Sequence, residues 1–524
     1  MQTSRDPCAH PGTLRGNGQP RLAATTVAAP KWSRVPWAAL LALALGLAFQ
    51  GSRGLWEPDE GYYANVAVGM LRSGDWFTPR LNDLVFLDKP PLHYWDMAAG
   101  MALLGVNEWG ARLANAFWFA GTALILELLG RRLWDRRTGR LAALVYTTTL
   151  LPFVAANVLT PDTTLAFWTT CCALCHVMAT GLVPCARPGR WWMGLGVCVG
   201  LGMLAKGPAV FIFVAPLAAE LMLRNGRSAL RSGWPFAAAL SAAAIAAVWY
   251  VPMMLSLPGA GPYFLSNEVV GRLFTASYRR NAGWMGGFEI YLPILAAGSL
   301  PWSLAWPAFV ARWRRRAAAA MDPRDRLLLW WILAPIVVLL AARSRLPLYI
   351  LPVFAPLSIA TTRVLLPAWH GARRRRALLA FSIAWISCLV GVKASSDRID
   401  TNRDSRSLAR ELRTLLPDPG IEVIGVDRKL NGLSVYGYRD FEWVTLRRED
   451  YPFFSLIETL DEELAENRQE GEHVAYLVPR REEDAFGRLA AASGMGCQRA
   501  GQVQGSAVFL CAPASRTASV PPGG

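Results

Sequence analysis

The feature that most constrains this chain is a succession of apolar stretches separated by short, arginine-rich connections. A helix that crosses a bilayer needs about 20 predominantly apolar residues, and several stretches approach that length. Together with 53% hydrophobic residues and a mean hydropathy of +0.25 over 524 residues, they exclude an ordinary soluble domain. The sequence therefore predicts an all-α polytopic membrane domain with about 11–13 transmembrane helices. The apolar segments lie at about 35–50, 113–130, 141–157, 163–184, 191–205, 207–223, 234–257, 290–311, 327–342, 347–366 and 377–393.

The arginine-rich connections set the predicted topology. By the positive-inside rule, short loops rich in Lys and Arg lie in the cytoplasm. This explains the net charge of +16 without a nucleic-acid partner, and the sequence contains no nucleic-acid-binding motif. The polar residues 1–34 do not have the pattern of a secretory signal, so we expect a disordered, cytoplasmic N-terminus. The basic connections are Arg131–Arg140, Arg187 with Arg190, Arg224–Arg231, Arg312–Arg326 and Arg373–Arg376.

An even number of membrane crossings between two basic connections places a turn on the side of the membrane opposite to those connections. Residues 191–223 lie between two basic connections and must cross an even number of times. At about 1.5 Å per residue they would extend roughly 50 Å as one helix, which is too long for one crossing. Residues 206–208, "KGP", are therefore predicted to form an outer turn. The same count places residues 51–112, 258–289 and everything after about 394 on the outer, periplasmic side.

The C-terminal part changes character after residue 393. Residues 394–524 contain strand-like runs at "EVIGVD" and "HVAYLVP" and a helical stretch at "REEDAFGRLAAA". They predict a small periplasmic α/β domain that follows the transmembrane domain of residues 35–393 and is long enough for its own core. Cys497 and Cys511 fall in this domain, in an oxidising compartment, and whether they pair is open.

The stretch "LWEPDEGYY", residues 55–63, places three carboxylates directly after the first apolar segment. Downstream, four residues have the i, i+3, i+4, i+7 spacing of an amphipathic helix along the membrane surface: Tyr63, Val66, Ala67 and Met70. One interpretation is that Asp59 and Glu60 only complement the N-terminus of this helix, worth about 0.3–1 kcal/mol each. The other is that they belong to a functional site.

Further charged residues on the predicted outer side favour the second interpretation. Each cation alone could simply extend toward the interface, as Lys and Arg at helix ends commonly do. Several cations with two separated carboxylates instead suit an anionic ligand handled by an acid or base, and a lipid-linked phosphate fits this description. These residues are Lys89, Asp162, Lys206, Arg272, Arg343 and Arg345.

Five segments of the chain resemble a known family. They are similar to the bacterial aminoarabinose transferases and protein O-mannosyltransferase-like proteins, which are membrane glycosyltransferases of the GT-C fold, over about residues 35–390. The first segment is long and specific, and the others follow in the matching order. The segments are "EPDEGYYANVAVGMLRSGDWFTPRLNDLVFLDKPPLHYW", "LTPDTTLAFW", "LAKGP", "YLPILAAGSLPWS" and "SRLPLYILPVFAPLS".

The resemblance implies inverting transfer of a sugar from a polyprenyl-phosphate carrier to a lipid or glycan acceptor at the periplasmic face of the bacterial inner membrane. It implies that Asp59 is the catalytic carboxylate, with Glu60 beside it and Asp162 as a second acid. Lys89 and Arg272 would hold the carrier phosphate. The other residues expected to line the cavity or bind substrate are Lys206, Tyr349, Tyr63 and Arg345.

The sequence predicts no required metal. Some members of the family hold a metal with an acid beside the motif lysine and a histidine from a later outer loop. Asp88 occupies the first place, but residues 258–289 contain no histidine. His93, the nearest histidine, is interpreted as a hydrogen-bonded interface residue, and a divalent metal near Asp88 and His93 stays the alternative.

A transporter or flippase for a lipid-linked sugar is the alternative function. Transporters place ionisable residues near the bilayer midplane and are built from repeated halves. In this chain the charges lie at predicted helix ends and no internal repeat is visible, which favours an enzyme. The sequence leaves the sugar open, and it leaves open whether the acceptor is lipid A, another lipid, a glycan or a protein.

Overall fold

The computed structural model of the chain describes residues 35–275, 281–307, 321–369, 371–399, 401–416, 418, 420–447 and 458–514. The predicted N-terminal segment 1–34, the end of the predicted span 290–311 and most of the basic connection Arg312–Arg326 lie outside these ranges. The described residues from Pro36 onward belong to one compact unit.

The membrane part is built from helices. Among the described residues, five helical stretches are long and apolar enough to cross a membrane: Glu108–Leu133, Pro188–Leu230, Trp234–Ser256, Pro347–Leu366 and Ala372–Ala394. The predicted polytopic all-α class is confirmed, while the number of crossings stays a prediction. In chain order, the helices of this part are α1 (Trp37–Leu47), α2 (Asp59–Ser73), α3 (Leu92–Leu104), α4 (Glu108–Leu133), α5 (Arg136–Thr148), α6 (Leu150–Ala155), α7 (Asp162–Ala179), α8 (Pro188–Lys206), α9 (Val210–Asn225), α10 (Trp234–Ser256), α11 (Ala260–Leu265), α12 (Arg272–Phe274), α13 (Gly286–Gly298), α14 (Pro323–Ala341), α15 (Phe354–Trp369) and α16 (Ala372–Ala394).

The chain reverses direction at the predicted outer turn. α8 ends at Lys206, Gly207 adopts a φ of +64°, and α9 begins after a short 3-10 turn. Asp162, at the start of α7, pairs with Lys206, whereas the Thr180 carbonyl just beyond the end of α7 accepts from Arg224 Nη2 at 3.4 Å. Because the 18 residues of α7 extend about 27 Å, Lys206 and Arg224 lie at opposite ends of a hairpin. The predicted reversal is confirmed.

Arginines of two predicted cytoplasmic connections meet at the other end of this hairpin. Glu220 on α9 is fully buried and pairs with Arg224 and Arg326, each at 3.5 Å. His176 Nε2, near the end of α7, lies 3.8 Å from the same carboxylate. The helices therefore separate an arginine-rich end from the end that carries Asp162 and Lys206, although the membrane side of each end stays a prediction.

α2 begins at Asp59 and lies between α3 and the C-terminal region. All four residues of its predicted apolar stripe are buried. Ala64, Asn65 and Val68 are buried as well, because residues Asn431–Tyr436 of the C-terminal region cover a second side of the helix. The prediction of a helix with one buried stripe on the membrane surface is therefore incomplete.

The C-terminal region forms the predicted small α/β domain. It contains a five-stranded sheet of the strands β3 (Glu422–Val426), β4 (Phe441–Val444), β5 (Val474–Pro479), β6 (Met495–Val503) and β7 (Ser506–Pro513). Their order is β4-β3-β5-β7-β6, with β3 parallel to β4 and β5, and β7 antiparallel to β5 and β6. The helices of this region are α17 (Ser405–Leu415), α18 (Leu460–Glu470) and α19 (Glu483–Ala492). The predicted strands are β3 and β5, and the predicted helix is α19. A two-stranded ribbon, β1 (Arg80–Leu81) with β2 (Leu84–Val85), lies between α2 and α3.

Cys497 and Cys511 form a disulfide in this sheet. They are directly opposite each other in the antiparallel β6–β7 ladder, with 4.1 Å between their Cα atoms. The pairing that the sequence leaves open is therefore present.

Candidate active site

Asp88 joins the two cations that the resemblance assigns to the carrier phosphate. Its Oδ2 accepts from Lys89 Nζ at 2.7 Å, and its Oδ1 accepts from Arg272 Nη2 at 2.7 Å. Glu268, one helical turn before Arg272, accepts from Arg272 Nε at 2.9 Å and from Nη2 at 2.7 Å. Lys89 is only 5% exposed, so these charges lie in a largely dry environment where hydrogen bonds between ions are strong.

Tyr349 connects this group to a second ion pair. Its hydroxyl lies 3.4 Å from Arg272 Nη1, and the centre of its ring lies 4.2 Å from Lys206 Nζ. Lys206 also pairs with Asp162, and both side chains are nearly fully buried. Asp162 begins α7 and Lys206 ends α8, so each charge complements the dipole of its own helix. α7 and α8 pack against each other as an antiparallel hairpin, so the start of α7 lies beside the end of α8 and the two residues meet.

Asp59 lies at the exposed start of α2, which also carries two tyrosines with tilted, neighbouring rings. The ring centres of Tyr62 and Tyr63 are 4.2 Å apart. Burial raises the pKa of both hydroxyls well above the ordinary value, and the negative charges of Asp88 and Asp59 raise it further. The charges of both carboxylates therefore act on the same two tyrosines.

His93 lies on the buried side of the same group. Its ring centre is 5.1 Å from that of Tyr63, and the residue is 2% exposed. Burial, followed by the positive charges of Lys206 and Lys89, lowers the pKa of His93 to about 3, so the imidazole is neutral. Neither ring nitrogen has a hydrogen-bond partner within the described residues, so the prediction of a hydrogen-bonded interface histidine is wrong there.

Glu60 is held by a different set of groups. Arg53 and Arg112 both donate to its carboxylate, and the backbone N–H groups of Trp56 and Leu159 donate at 2.9 Å and 3.0 Å. Although burial alone would raise the pKa of Glu60, the charges of Arg112 and Arg53 lower it to about 2. A carboxylate with both oxygens occupied by donors is a poor base. Glu60 therefore anchors α2 to its surroundings, and its predicted catalytic role has no geometric support.

Arg345 is also committed to the structure rather than to the site. Its Nη1 donates to the carbonyls of Asn281 and Gly283, each at 2.6 Å, and its Nη2 donates to the Leu340 carbonyl at 3.1 Å. The residue is 2% exposed. It ties the segment before α13 to the end of α14, so the predicted substrate contact has no geometric support either.

The surroundings of Asp88 fit a cation pair better than a metal. Both of its carboxylate oxygens already accept from Lys89 and Arg272, whose positive charges would repel a metal ion. Among the described residues, a grouping of three candidate ligands lies in the C-terminal domain and consists of Glu458, Glu463 and Glu466. The expectation that no metal is required stays a prediction.

The structure thus brings together most of the residues predicted for the site, and it adds three. Tyr62, Glu268 and Asp88 in its bridging position were missed. Glu268 could have been found, because it precedes Arg272 by four residues, the spacing of a helical ion pair. The predicted residues that these contacts join are Lys89, Asp162, Lys206, Arg272 and Tyr349, while Tyr63 packs against His93.

Comparisons with known proteins show what the chain is similar to. A family profile described as dolichyl-phosphate-mannose-protein mannosyltransferase matches residues 88–251. An undecaprenyl phosphate-alpha-4-amino-4-deoxy-L-arabinose arabinosyl transferase of Sodalis glossinidius is 34% identical over 333 residues, which is 62% of this chain and 58% of that protein. The corresponding transferase of Pseudomonas aeruginosa is 31% identical, over 62% of this chain and 59% of that protein. The match thus spans about three-fifths of the length of these relatives.

Solved structures decide the fold. ArnT from Cupriavidus metallidurans, bound to undecaprenyl phosphate, matches with a TM-score of 0.73 and 20% identity, over 90% of this chain and 98% of that one. The resemblance to the aminoarabinose transferase group is confirmed. An oligosaccharyltransferase from Archaeoglobus fulgidus matches more distantly, with a TM-score of 0.52 and 16% identity over 78% of this chain and 61% of that one. The chain has the GT-C fold and is a multi-pass protein of the bacterial inner membrane.

Proposed function

We propose that this chain is an inverting glycosyltransferase that moves a sugar from a polyprenyl-phosphate carrier to an acceptor at the periplasmic face. The observation that carries the proposal is the set of contacts that joins Lys89 to Arg272 through Asp88, and Arg272 to Lys206 through Tyr349. Cationic donors grouped in a buried setting suit a phosphodiester, which offers several acceptor oxygens and a negative charge. Asp59, at the exposed start of α2, supplies a carboxylate that could activate or position an acceptor.

The proposed reaction is a single displacement at the anomeric carbon of the sugar. The acceptor oxygen forms a bond to this carbon while the bond from the carbon to the carrier phosphate oxygen breaks. The phosphate leaves with the electron pair, and the configuration of the carbon inverts. Lys89 and Arg272 would neutralise the charge that develops on the leaving phosphate, so less protonation of the leaving oxygen is needed than in ordinary glycoside hydrolysis.

Asp59 would act on the acceptor side of the reaction. If the acceptor is a hydroxyl, its proton goes to the Asp59 carboxylate as the new bond forms. If the acceptor is an ionised phosphate, no proton has to be removed, and Asp59 would position the acceptor. Asp162 would act through Lys206, because its carboxylate is bound to that lysine.

The names of the relatives indicate which substrates to test first. The proteins from Sodalis and Pseudomonas are named as aminoarabinose transferases that use undecaprenyl phosphate. Aminoarabinose transfer to lipid A is therefore the first reaction to examine in this chain, with other lipids, glycans and proteins as further acceptors.

The proposal includes an orientation, with the site and the C-terminal domain in the periplasm and the N-terminus in the cytoplasm. The arginine-rich end of the α8–α9 hairpin supports it. The test uses a variant in which the exposed Cys388 is replaced and a new cysteine is introduced at Arg481 or at Arg374. A membrane-impermeant thiol reagent added to intact cells should label Arg481→Cys but not Arg374→Cys. The reverse labelling would overturn this orientation.

The function is tested by mass spectrometry of lipid A, other surface glycans and envelope proteins from cells with and without the chain. Cells that carry Asp59→Asn serve as the inactive control. A sugar-sized mass that is lost in both the deletion and the variant would support the transferase and identify its acceptor class. Unchanged acceptors, with lipid-linked sugar accumulating on the cytoplasmic leaflet, would refute the transferase and favour a flippase.

A further inference from the structure

The segment that leads into Asp59 pairs with the start of the C-terminal domain. The Glu57 N–H donates to the Arg403 carbonyl at 2.8 Å, and the Ser405 N–H donates to the Leu55 carbonyl at 2.9 Å. Between them, Trp56 and Asp404 form an antiparallel bridge. The backbone just before Asp59 is therefore paired like a short strand, with the C-terminal domain as its partner.

Side chains extend this pairing to the membrane helix α4. The Tyr436 hydroxyl accepts from the Leu55 N–H at 3.0 Å and donates to Glu108 Oε1 at 2.6 Å. Arg406 Nε donates to the same Glu108 oxygen at 2.7 Å, and its Nη2 donates to the Gly51 carbonyl at 2.8 Å. The segment 51–57 is thus enclosed by α4 on one side and by the C-terminal domain on the other.

Glu57 makes the link closest to Asp59. Its Oε1 accepts from the Gly432 N–H at 2.5 Å and from the Ser405 hydroxyl at 3.3 Å. The carboxyl group lies directly over Gly61, where any Cβ would overlap it. This contact explains why the motif "EPDEG" has a glycine four residues after Glu57, and it closes the turn that contains Asp59.

Asp59 therefore stands between two fixed neighbours that belong to different parts of the protein. Glu60 is fixed by Arg53 and Arg112 in the membrane part, and Glu57 is fixed by Ser405 and Gly432 in the C-terminal domain. We propose that the C-terminal domain is a positioning part of the catalytic machinery, and that Glu57 is the positioning residue through which it sets the place of Asp59. This inference rests on the proposed function.

The environment of Glu57 favours its neutral form. Its Oε2 is buried and has no hydrogen-bond partner among the described residues, so an ionised carboxylate there would lack donors on one oxygen. Burial raises the pKa of Glu57 to about 8, against the lowering effect of the Gly432 and Ser405 hydrogen bonds and of the charges of Lys429 and Arg428. A cavity of about 260 Å³ borders the residue and gives protons access to it. The charged residues that line this cavity with Glu57 are Arg403, Asp404, Asp427, Arg428 and Lys429.

The sign of the pH effect follows from this raised pKa. The folded link favours the protonated acid, so its contribution is fully present below pH 4.5 and is lost as the pH rises through about 8. Glu57→Gln imitates the protonated acid and keeps an amide oxygen for Gly432 and Ser405. Glu57→Ala removes the carboxyl group that binds Gly432 and Ser405. Gly61→Ala places a methyl group where this carboxyl group lies and so pushes it aside.

The test measures turnover and local protection of the full chain in lipid nanodiscs. For Glu57→Ala and Gly61→Ala we expect kcat to fall at least about tenfold with KM for the lipid-linked donor within about twofold, because misplacement near the reacting atoms acts on the chemical step. The kcat of the wild type should decline as the pH rises above about 8, because the link is then lost. Glu57→Gln should keep kcat near the wild-type value and should not show this decline. Arg481→Ala, an exposed change in the same domain, is the control and should match the wild type.

Hydrogen exchange separates this inference from the proposed function. Backbone amides of residues 56, 57 and 59–62 should exchange at least about tenfold faster in Glu57→Ala than in the wild type, whether or not the wild type transfers a sugar, because the pairing holds them closed. If the wild type shows the protection but transfers no sugar, the proposed function fails while the structural link stands. Unchanged exchange and unchanged kcat in Glu57→Ala would overturn the inference. If Glu57→Ala does not fold, Ser405→Ala removes one hydrogen bond of the link and makes the same comparison.

Discussion

Replacing Glu60 by Gln should destabilise the protein severely, whereas the equivalent change at its exposed neighbour Asp59 should leave the stability nearly unchanged. Glu60 is 2% exposed and accepts from two guanidinium groups, those of Arg53 and Arg112, which are 8% and 1% exposed. Glu60→Gln removes the negative charge and leaves two buried positive charges with backbone carbonyls as their remaining acceptors. The expected loss of stability therefore comes mainly from the missing negative charge, because Gln and Glu have nearly the same volume.

Two independent arguments give a similar value for the free energy of unfolding that Glu60→Gln would remove. Removing one partner of a buried ion pair costs about 3–5 kcal/mol, because the other charge stays buried and uncompensated. The pKa of Glu60 falls from 4.5 to about 2 in the folded protein, which at about 1.4 kcal/mol per pKa unit corresponds to roughly 3 kcal/mol. This stabilisation is present above pH 4.5 and is lost as the pH falls toward 2.

The assay is the half-life of the folded state in nanodiscs at a fixed temperature, followed by tryptophan fluorescence, because large membrane proteins often unfold irreversibly. A loss of 3 kcal/mol shortens this half-life by up to about 10²-fold. Glu482→Gln is the matched control, since Glu482 pairs with a surface arginine at 3.4 Å and should cost less than about 1 kcal/mol. A Glu60→Gln variant as stable as this control, yet inactive, would refute the structural assignment and return Glu60 to the chemistry.

Three further predictions concern the site and the C-terminal domain. Asp59→Asn should lower transfer at least about 10²-fold with carrier binding intact, as measured by turnover and by titration with undecaprenyl phosphate; near-normal turnover would contradict the catalytic role. Lys89→Ala should weaken binding of that carrier about tenfold or more through loss of a charged hydrogen bond, and an unchanged dissociation constant would exclude Lys89 from the phosphate site. Cys497→Ser with Cys511→Ser should destabilise the C-terminal domain by about 2–4 kcal/mol in thermal unfolding, whereas an unchanged Tm would show that the β6–β7 ladder suffices.

The elements that could be predicted from the sequence are those encoded in neighbouring residues. The start of α2 at Asp59 and its buried stripe follow from local periodicity, and the hairpin at Lys206 follows from arginines on both sides of a 33-residue stretch, 191–223. The second buried side of α2 could not be predicted, because Asn65 meets the Asn431 carbonyl from 366 positions away. The spacing of apolar residues in a sequence predicts which faces of a helix are apolar. It cannot predict that a distant domain covers a polar face of the same helix.

In the candidate site, too, contacts between residues far apart in the chain could not be predicted from local sequence patterns. Lys89, Arg272, Lys206 and Tyr349 were expected to share a cavity because of the family resemblance, and the structure brings them together. The role of Glu60 could not be read from its position beside Asp59. It depends on Arg112, 52 positions further along the chain, and no local pattern shows that this arginine is buried.

The carboxylates around the cations have a consequence for selectivity. Each cation in the site already has an acidic partner: Asp88 for Lys89, Asp88 with Glu268 for Arg272, and Asp162 for Lys206. An inorganic phosphate that enters must compete with these partners, and it gains nothing else in return. A phosphate attached to a long hydrocarbon chain also gains about 0.8 kcal/mol for each methylene kept out of water, which offsets this competition. A balanced site of this kind would reject small anions from solution while it admits the same chemical group at the end of a lipid.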